Sequence, residues 1–205
     1  MLKFYKTFLN RTFRESQRNY MVVALKQFFP AEKATILDIG TGNGEFAYIL
    51  QQNFPQLSFT GAEVMERGEP QIPITIYDGD VLPFAAKSFD YAILVNMLHH
   101  TPDPGALMRE AFRVSRRGII IKDHYADNWF DYATLMAMEY ANPNAKALLQ
   151  RPLTFYSRKQ WQSIFAEVNA KCEAYDDKFI SYGWWWDILF GRKMHFIGRY
   201  SQTGA

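Results

Sequence analysis

Ile36–Phe46 reads ILDIGTGNGEF, and the succession of residue types in it decides the fold. An apolar run ends at Ile39, glycines follow at alternate positions, and a helical pattern starts after Gly44. Gly40, Gly42 and Gly44, with Thr41 between the first two, permit a tight turn and close approach of a ligand to the main chain. In an open parallel sheet such a turn lies at the carboxyl end of a strand, where the ligand crevice forms. A plain strand-to-helix connection would use the same residues, so the turn alone leaves ligand binding open.

Outward from this stretch, short apolar runs alternate with helical patterns. Thr35–Ile39, Ser58–Glu63, Thr75–Tyr77, Tyr91–Val95 and Gly118–Lys122 read as strands, and Gly44–Asn53 and Leu107–Val114 as helices. That alternation predicts an α/β fold with a parallel sheet covered on both faces. Residues 1–29 carry Tyr5, Phe8, Leu9 and Phe13, then Val22, Leu25, Phe28 and Phe29, at helical spacing, and Pro30 closes the segment. Tyr125–Tyr140 and Ser157–Val168 read as helices, the second capped by Ser157. Cys172–Tyr182 and His195–Tyr200 read as strands joined by a Trp-rich loop around Gly183–Gly191. No linker-like stretch interrupts residues 1–205, so one domain is expected, with 124–157 as a candidate lid or acceptor region.

Composition narrows the class. Hydrophobic residues at 48% and charged residues at 21% of a 205-residue chain argue against wholesale disorder. The lone Cys172 excludes an internal disulfide and argues against a cysteine-based metal site; no metal is expected, and a reducing, cytoplasmic location is. No apolar run approaches the ~20 residues that span a bilayer. Lys3, Lys6, Arg11, Arg14 and Arg18 break every candidate secretory stretch. Residues 1–30 carry six basic groups and one acid, a net +5 within a chain of net +2. This basic start could be a solvated face, close over the site, rest on a membrane surface or meet an acidic carrier protein. Nucleic acid is not an expected partner, because the remaining basic residues are scattered.

The glycine spacing discriminates between ligands. Dinucleotide sites use G-x-G-x-x-G with pyrophosphate at the helix N-terminus, but here the third glycine of that pattern would fall on Glu45. Asp38 precedes the turn, where a carboxylate would repel pyrophosphate and could hold an ammonium group; S-adenosylmethionine has an ammonium and no phosphate. Glu63 ends the next strand and could accept hydrogen bonds from two ribose hydroxyls. Asp80, in YDGDVLPF (Tyr77–Phe84), could accept from an adenine amino group while the Val81 amide donates to the ring. Each carboxylate alone could be an ordinary strand end or turn.

Together with Gly79–Pro104 (GDVLPFAAKSFDYAILVNMLHHTPDP) and Leu107–His124 (LMREAFRVSRRGIIIKDH), this stretch resembles class I S-adenosylmethionine-dependent methyltransferases of the small UbiE-like, or type 11, group. The resemblance covers roughly residues 33–125. It implies a Rossmann-like αβα sandwich with a seven-stranded, mostly parallel sheet in the order 3-2-1-4-5-7-6, the last strand antiparallel. S-adenosylmethionine is the implied cofactor and S-adenosylhomocysteine its product. Asn96 departs from the pattern, standing where relatives often carry aspartate or serine; it could touch the cofactor but not act as a base.

The sulfonium already activates the methyl group, so the protein mainly aligns an acceptor. An oxygen acceptor must lose a proton, for which histidine is suited near neutral pH. His99 and His100 follow the fourth strand and His124 the fifth; His124 is the expected base and His100 the alternative, with packing roles open to all three. His195 is expected to be structural. Tyr132, Tyr140, Phe155, Tyr156 and Trp184–Trp186 could wall an apolar acceptor pocket or belong to the core. The expected function is methyl transfer to a small apolar or aromatic metabolite or a lipid-like, carrier-bound acceptor, with oxygen as a candidate atom. The alternatives are an NAD-dependent oxidoreductase and a non-catalytic binding module.

Overall fold

The computed structural model describes residues 17–141, 153–179 and 194–203. Strands β1 (Ala34–Ile39), β2 (Leu57–Glu63), β3 (Ile74–Ile76), β4 (Phe89–Val95), β5 (Ser115–His124), β6 (Ala170–Asp176) and β7 (His195–Gln202) form one sheet. Their order is β3-β2-β1-β4-β5-β7-β6. β1 to β5 pair in parallel, and β7 runs antiparallel to both β5 and β6. This is the order, and the antiparallel last strand, that the resemblance implied.

Helices cover both faces because successive strand residues point to opposite sides and both are apolar. Helix α1 (residues 17–25), its following 3-10 turn, and α2 (Glu45–Asn53) set Leu25, Phe28, Ala47 and Leu50 against Ile36, Ile93, Ile120 and Ile197. On the other face, α3 (Pro104–Val114) and α5 (Arg158–Glu167) set Met108, Phe112 and Trp161 against Leu37, Leu94, Ile121 and Phe196. Burying each such side chain contributes about 1.5–3 kcal/mol. The remaining helix, α4 (Trp129–Ala141), packs Leu135 with Phe155 and Met194 in a third, smaller cluster.

Several boundaries differ from the sequence reading for local reasons. β5 starts at Ser115, not Gly118, because Arg116 and Arg117 are held at its exposed end by Asp90 and Glu32. α4 starts at Trp129, not Tyr125, because the Tyr125 amide still donates to the Met194 carbonyl, at 2.8 Å, and its ring stacks on Phe196. β6 starts at Ala170, after Asn169 reverses the chain with φ +54°. Ser157 caps α5 as expected, in a reciprocal box with Gln160. The first half of the basic segment, residues 142–152 of the candidate lid region 124–157, and Trp184–Trp186 lie outside the described residues.

Strand order reverses between β1 and β4, so their carboxyl ends splay apart and leave a crevice between them. Among the described residues, no helix is long and apolar enough to cross a membrane.

Candidate active site

The glycine turn closes the floor of that crevice. Gly40 has φ +76°, and a Cβ there would lie 2.9 Å from Met97 Cε. Gly44, the left-handed N-cap of α2, is required for another reason. A Cβ there would lie 2.5 Å from Ile72 Cγ1, so packing demands this glycine. Gly40, Gly42, Glu63, Asp80, Asn96 and His100 line a cavity of about 360 Å³, within the range of small-molecule sites. A second hollow of about 200 Å³, lined by Arg18, Asp38 and Thr41, shares Gly40 and Asn96 with the first. Gly44 and Val81 line neither hollow.

Asp38 is buried, and its Oδ2 accepts from the Thr41 hydroxyl at 2.6 Å. Burial pushes its carboxyl up to about 6, against the pull of the Thr41 hydroxyl and with help from the Glu63 charge. A desolvated carboxylate with so little compensation favours a cation beside it.

Glu63, at the end of β2, is also buried. Its Oε2 accepts from the Gly42 amide and its Oε1 from the Val64 amide, each at 2.9 Å. The Arg67 guanidinium approaches Oε2 at 3.6 Å. Arg67 lines the cavity too, and nothing in the sequence distinguished it from the chain's other arginines. Asp80 is exposed at the rim, and the Asp78 carboxylate receives the Asp80 amide at 3.0 Å and the Val81 amide at 3.4 Å. The Val81 amide is therefore already engaged by the DGD turn.

Asn96 adopts φ +52°, a conformation asparagine tolerates better than most residues. Its amide donates to the Lys122 carbonyl at 2.8 Å, and its Oδ1 accepts from the Lys122 ammonium. Lys122 is fully buried, which pulls its ammonium down to about 8. This pair bridges the ends of β4 and β5 behind the crevice wall. The sequence carried a faint signal for it, a lysine within the apolar run GIIIK.

The histidines separate by position. His100, in the short turn Leu98–His100, lines the larger cavity. His124 does not: its ring is buried against His99, His195 and Phe155, and its carbonyl accepts from Trp161 Nε1 at 2.8 Å. Burial, then the Lys122 charge, push His124 down to about 3, so it stays neutral through the ordinary pH range. Between them lies a buried polar cluster. His99 Nδ1 sits 2.6 Å from Asp123 Oδ1, and Asp123 also receives the Leu98 and His124 amides. His99 Nε2 and His100 Nε2 face the two oxygens of Glu139 on α4 at 3.7 and 3.8 Å.

Phe155 is buried and stacks on His99, with Tyr132 edge-on to it, whereas Tyr140 is exposed and Tyr156 packs on Trp161. Arg18 is paired with Glu45 at the rim.

A family model described as a methyltransferase domain matches residues 13–175. An uncharacterized protein of Methanocaldococcus jannaschii is 28% identical over 160 residues, 72% of this chain and 76% of that protein. A demethylmenaquinone methyltransferase of a Roseiflexus species is 30% identical over 155 residues, 71% of this chain and 59% of its own length. Among solved structures, geranyl diphosphate C-methyltransferase from Streptomyces coelicolor, in complex with Mg2+, geranyl diphosphate and S-adenosyl-L-homocysteine, superposes with a TM-score of 0.65. It is 10% identical, covering 90% of this chain and 80% of that one, a likeness of fold alone.

Proposed function

Because this chain belongs to the methyltransferase domain family, we propose that it transfers the methyl group of S-adenosylmethionine to an oxygen of a small apolar or aromatic metabolite, or of a lipid-like acceptor on an acidic carrier. Its residues suit that cofactor. The desolvated Asp38 carboxylate fits an α-ammonium, and Glu63, braced by the Gly42 and Val64 amides, fits a ribose diol. Asp80 at the rim fits the adenine amino group, and Asn96 stands between the two hollows.

When bound, S-adenosylmethionine supplies a methyl carbon whose bond to sulfur breaks with the electron pair left on sulfur, while the acceptor oxygen bonds that carbon and gives up its proton. The observation that carries the acceptor side is that, of the chain's four histidines, His100 is the one lining this cavity. Its imidazole acts at the acceptor oxygen, and Met97, Pro102 and Leu107 supply apolar lining of the same cavity. The Roseiflexus relative, named for a quinone, supports a flat apolar acceptor.

The test uses S-adenosylmethionine carrying carbon-13 in its methyl group, offered with phenols, quinols and hydroxyacyl thioesters. A methoxy carbon signal with matching release of S-adenosylhomocysteine is expected. A label found solely on carbon or nitrogen would refute oxygen as the acceptor atom.

A further inference from the structure

We infer that His99, His100 and Glu139 form a binding site for a divalent transition-metal ion of the zinc class, beside the cofactor crevice. The inference deepens the reading above by saying how His100 acts. It rests first on an unfinished polar group. His99 is 1% exposed, yet its Nε2 has no hydrogen-bond partner among the described residues. A buried ring nitrogen left in that state is destabilising and calls for a ligand.

The other ring nitrogen shows which ligand. Nδ1 is engaged by Asp123 at 2.6 Å, and Asp123 is itself fixed by two backbone amides. A carboxylate on one imidazole nitrogen sets the ring's orientation and makes the opposite nitrogen a better metal donor, the usual support behind a metal-bound histidine. His99 Nε2, a nitrogen of His100 and a Glu139 oxygen lie within 4.8 Å of one another. Around zinc, with bonds of about 2.0–2.1 Å, tetrahedral ligands stand about 3.3 Å apart. The 3.7 and 3.8 Å separations run to different Glu139 oxygens, so drawing one nitrogen of each ring and one oxygen around an ion takes shifts of up to about 1.5 Å from spacings within 4.8 Å.

Two imidazoles and one carboxylate are the donor set of an open site, which keeps a coordination position for an outside oxygen. His100 also lines the crevice, so that position is within reach of an acceptor oxygen. An ion there would make that oxygen easier to deprotonate, the proton passing to solvent. Cysteine takes no part, since Cys172 is exposed on β6, away from this cluster.

The experiment titrates metal-free, full-length protein with Co2+, read by visible absorption, and with Zn2+, read by calorimetry. A Cys172→Ser background removes the thiol. One equivalent of ion should bind with micromolar or tighter affinity. Glu139→Gln should weaken binding at least about tenfold, and His99→Ala should abolish it. Both variants should still bind S-adenosylhomocysteine, which checks the fold. If His99→Ala does not fold, the partly exposed Glu139 position carries the test alone. No saturable binding at millimolar ion, or equal binding by Glu139→Gln, would overturn the inference. Neither readout involves methyl transfer, so such a failure leaves the proposed reaction standing. Absence of methyl transfer with intact metal binding would do the reverse.

Discussion

Replacing His100 with alanine is expected to lower single-turnover methyl transfer by about 10²–10⁴-fold, the range for a positioned group that assists proton removal, while cofactor affinity changes little. His124→Ala is expected to lose much less. The sequence favoured the opposite ranking, since His124 follows β5 on the carboxyl side of the sheet. In the structure His124 continues the ladder with β7, pairs with His195, and has its ring closed in by His99 and Phe155. His100 stands on a turn that leaves the sheet and enters the cavity. Because His124 is packed in the interior, its variant needs a thermal melt alongside the rate. An equal or greater loss at His124, with the fold intact, would return the acceptor role to β5.

Glu63→Ala should weaken S-adenosylmethionine binding by roughly 1.5–3 kcal/mol, the scale of charge-assisted hydrogen bonds. Two effects enter. The ribose loses its acceptor, and the Gly42 and Val64 amides lose the carboxylate that holds the turn. Glu63→Gln separates them, because one amide oxygen can still serve one of those donors without the charge. A smaller loss in Glu63→Gln than in Glu63→Ala is therefore expected. An unchanged dissociation constant in both variants would mean that Glu63 only braces the glycine turn and never meets the cofactor.

The sheet was legible because its strands are coded twice over. Ile36 and Leu37, Ile93 and Leu94, and Ile120 and Ile121 are apolar on both faces, a pattern a doubly covered parallel sheet requires. The placement of the residues expected to hold the cofactor was legible for a related reason. Asp38, Gly40 and Glu63 stand at strand ends, so chain position nearly dictates their place in the fold. The rest of the site is assembled from segments far apart in the chain. Glu139 meets His99 and His100 from a helix some forty residues downstream, and no local spacing announces it. Turn detail was also hidden: Val81 looked available as an amide donor, but Asp78 had already engaged it. Gly44 was expected to meet the ligand, and the crowding by Ile72 that also demands a glycine there could not be seen in the sequence.

The central claim is that this crevice binds S-adenosylmethionine through a carboxylate that meets its ammonium, and calorimetric titration across pH tests it most directly. Asp38 has its carboxyl raised to about 6 in the folded protein, so it is charged above that pH and protonated below it. The α-ammonium stays protonated between about pH 5 and pH 7. Affinity for S-adenosylmethionine should thus hold steady near neutrality. It should fall as pH drops through 6, by up to about tenfold per unit, since the lost charge is the one the ligand needs. Methylthioadenosine, which lacks the amino-acid group, should bind more weakly and without that dependence, and NAD should not bind. Binding of NAD in place of S-adenosylmethionine, or an identical pH profile for S-adenosylmethionine and methylthioadenosine, would contradict the assignment.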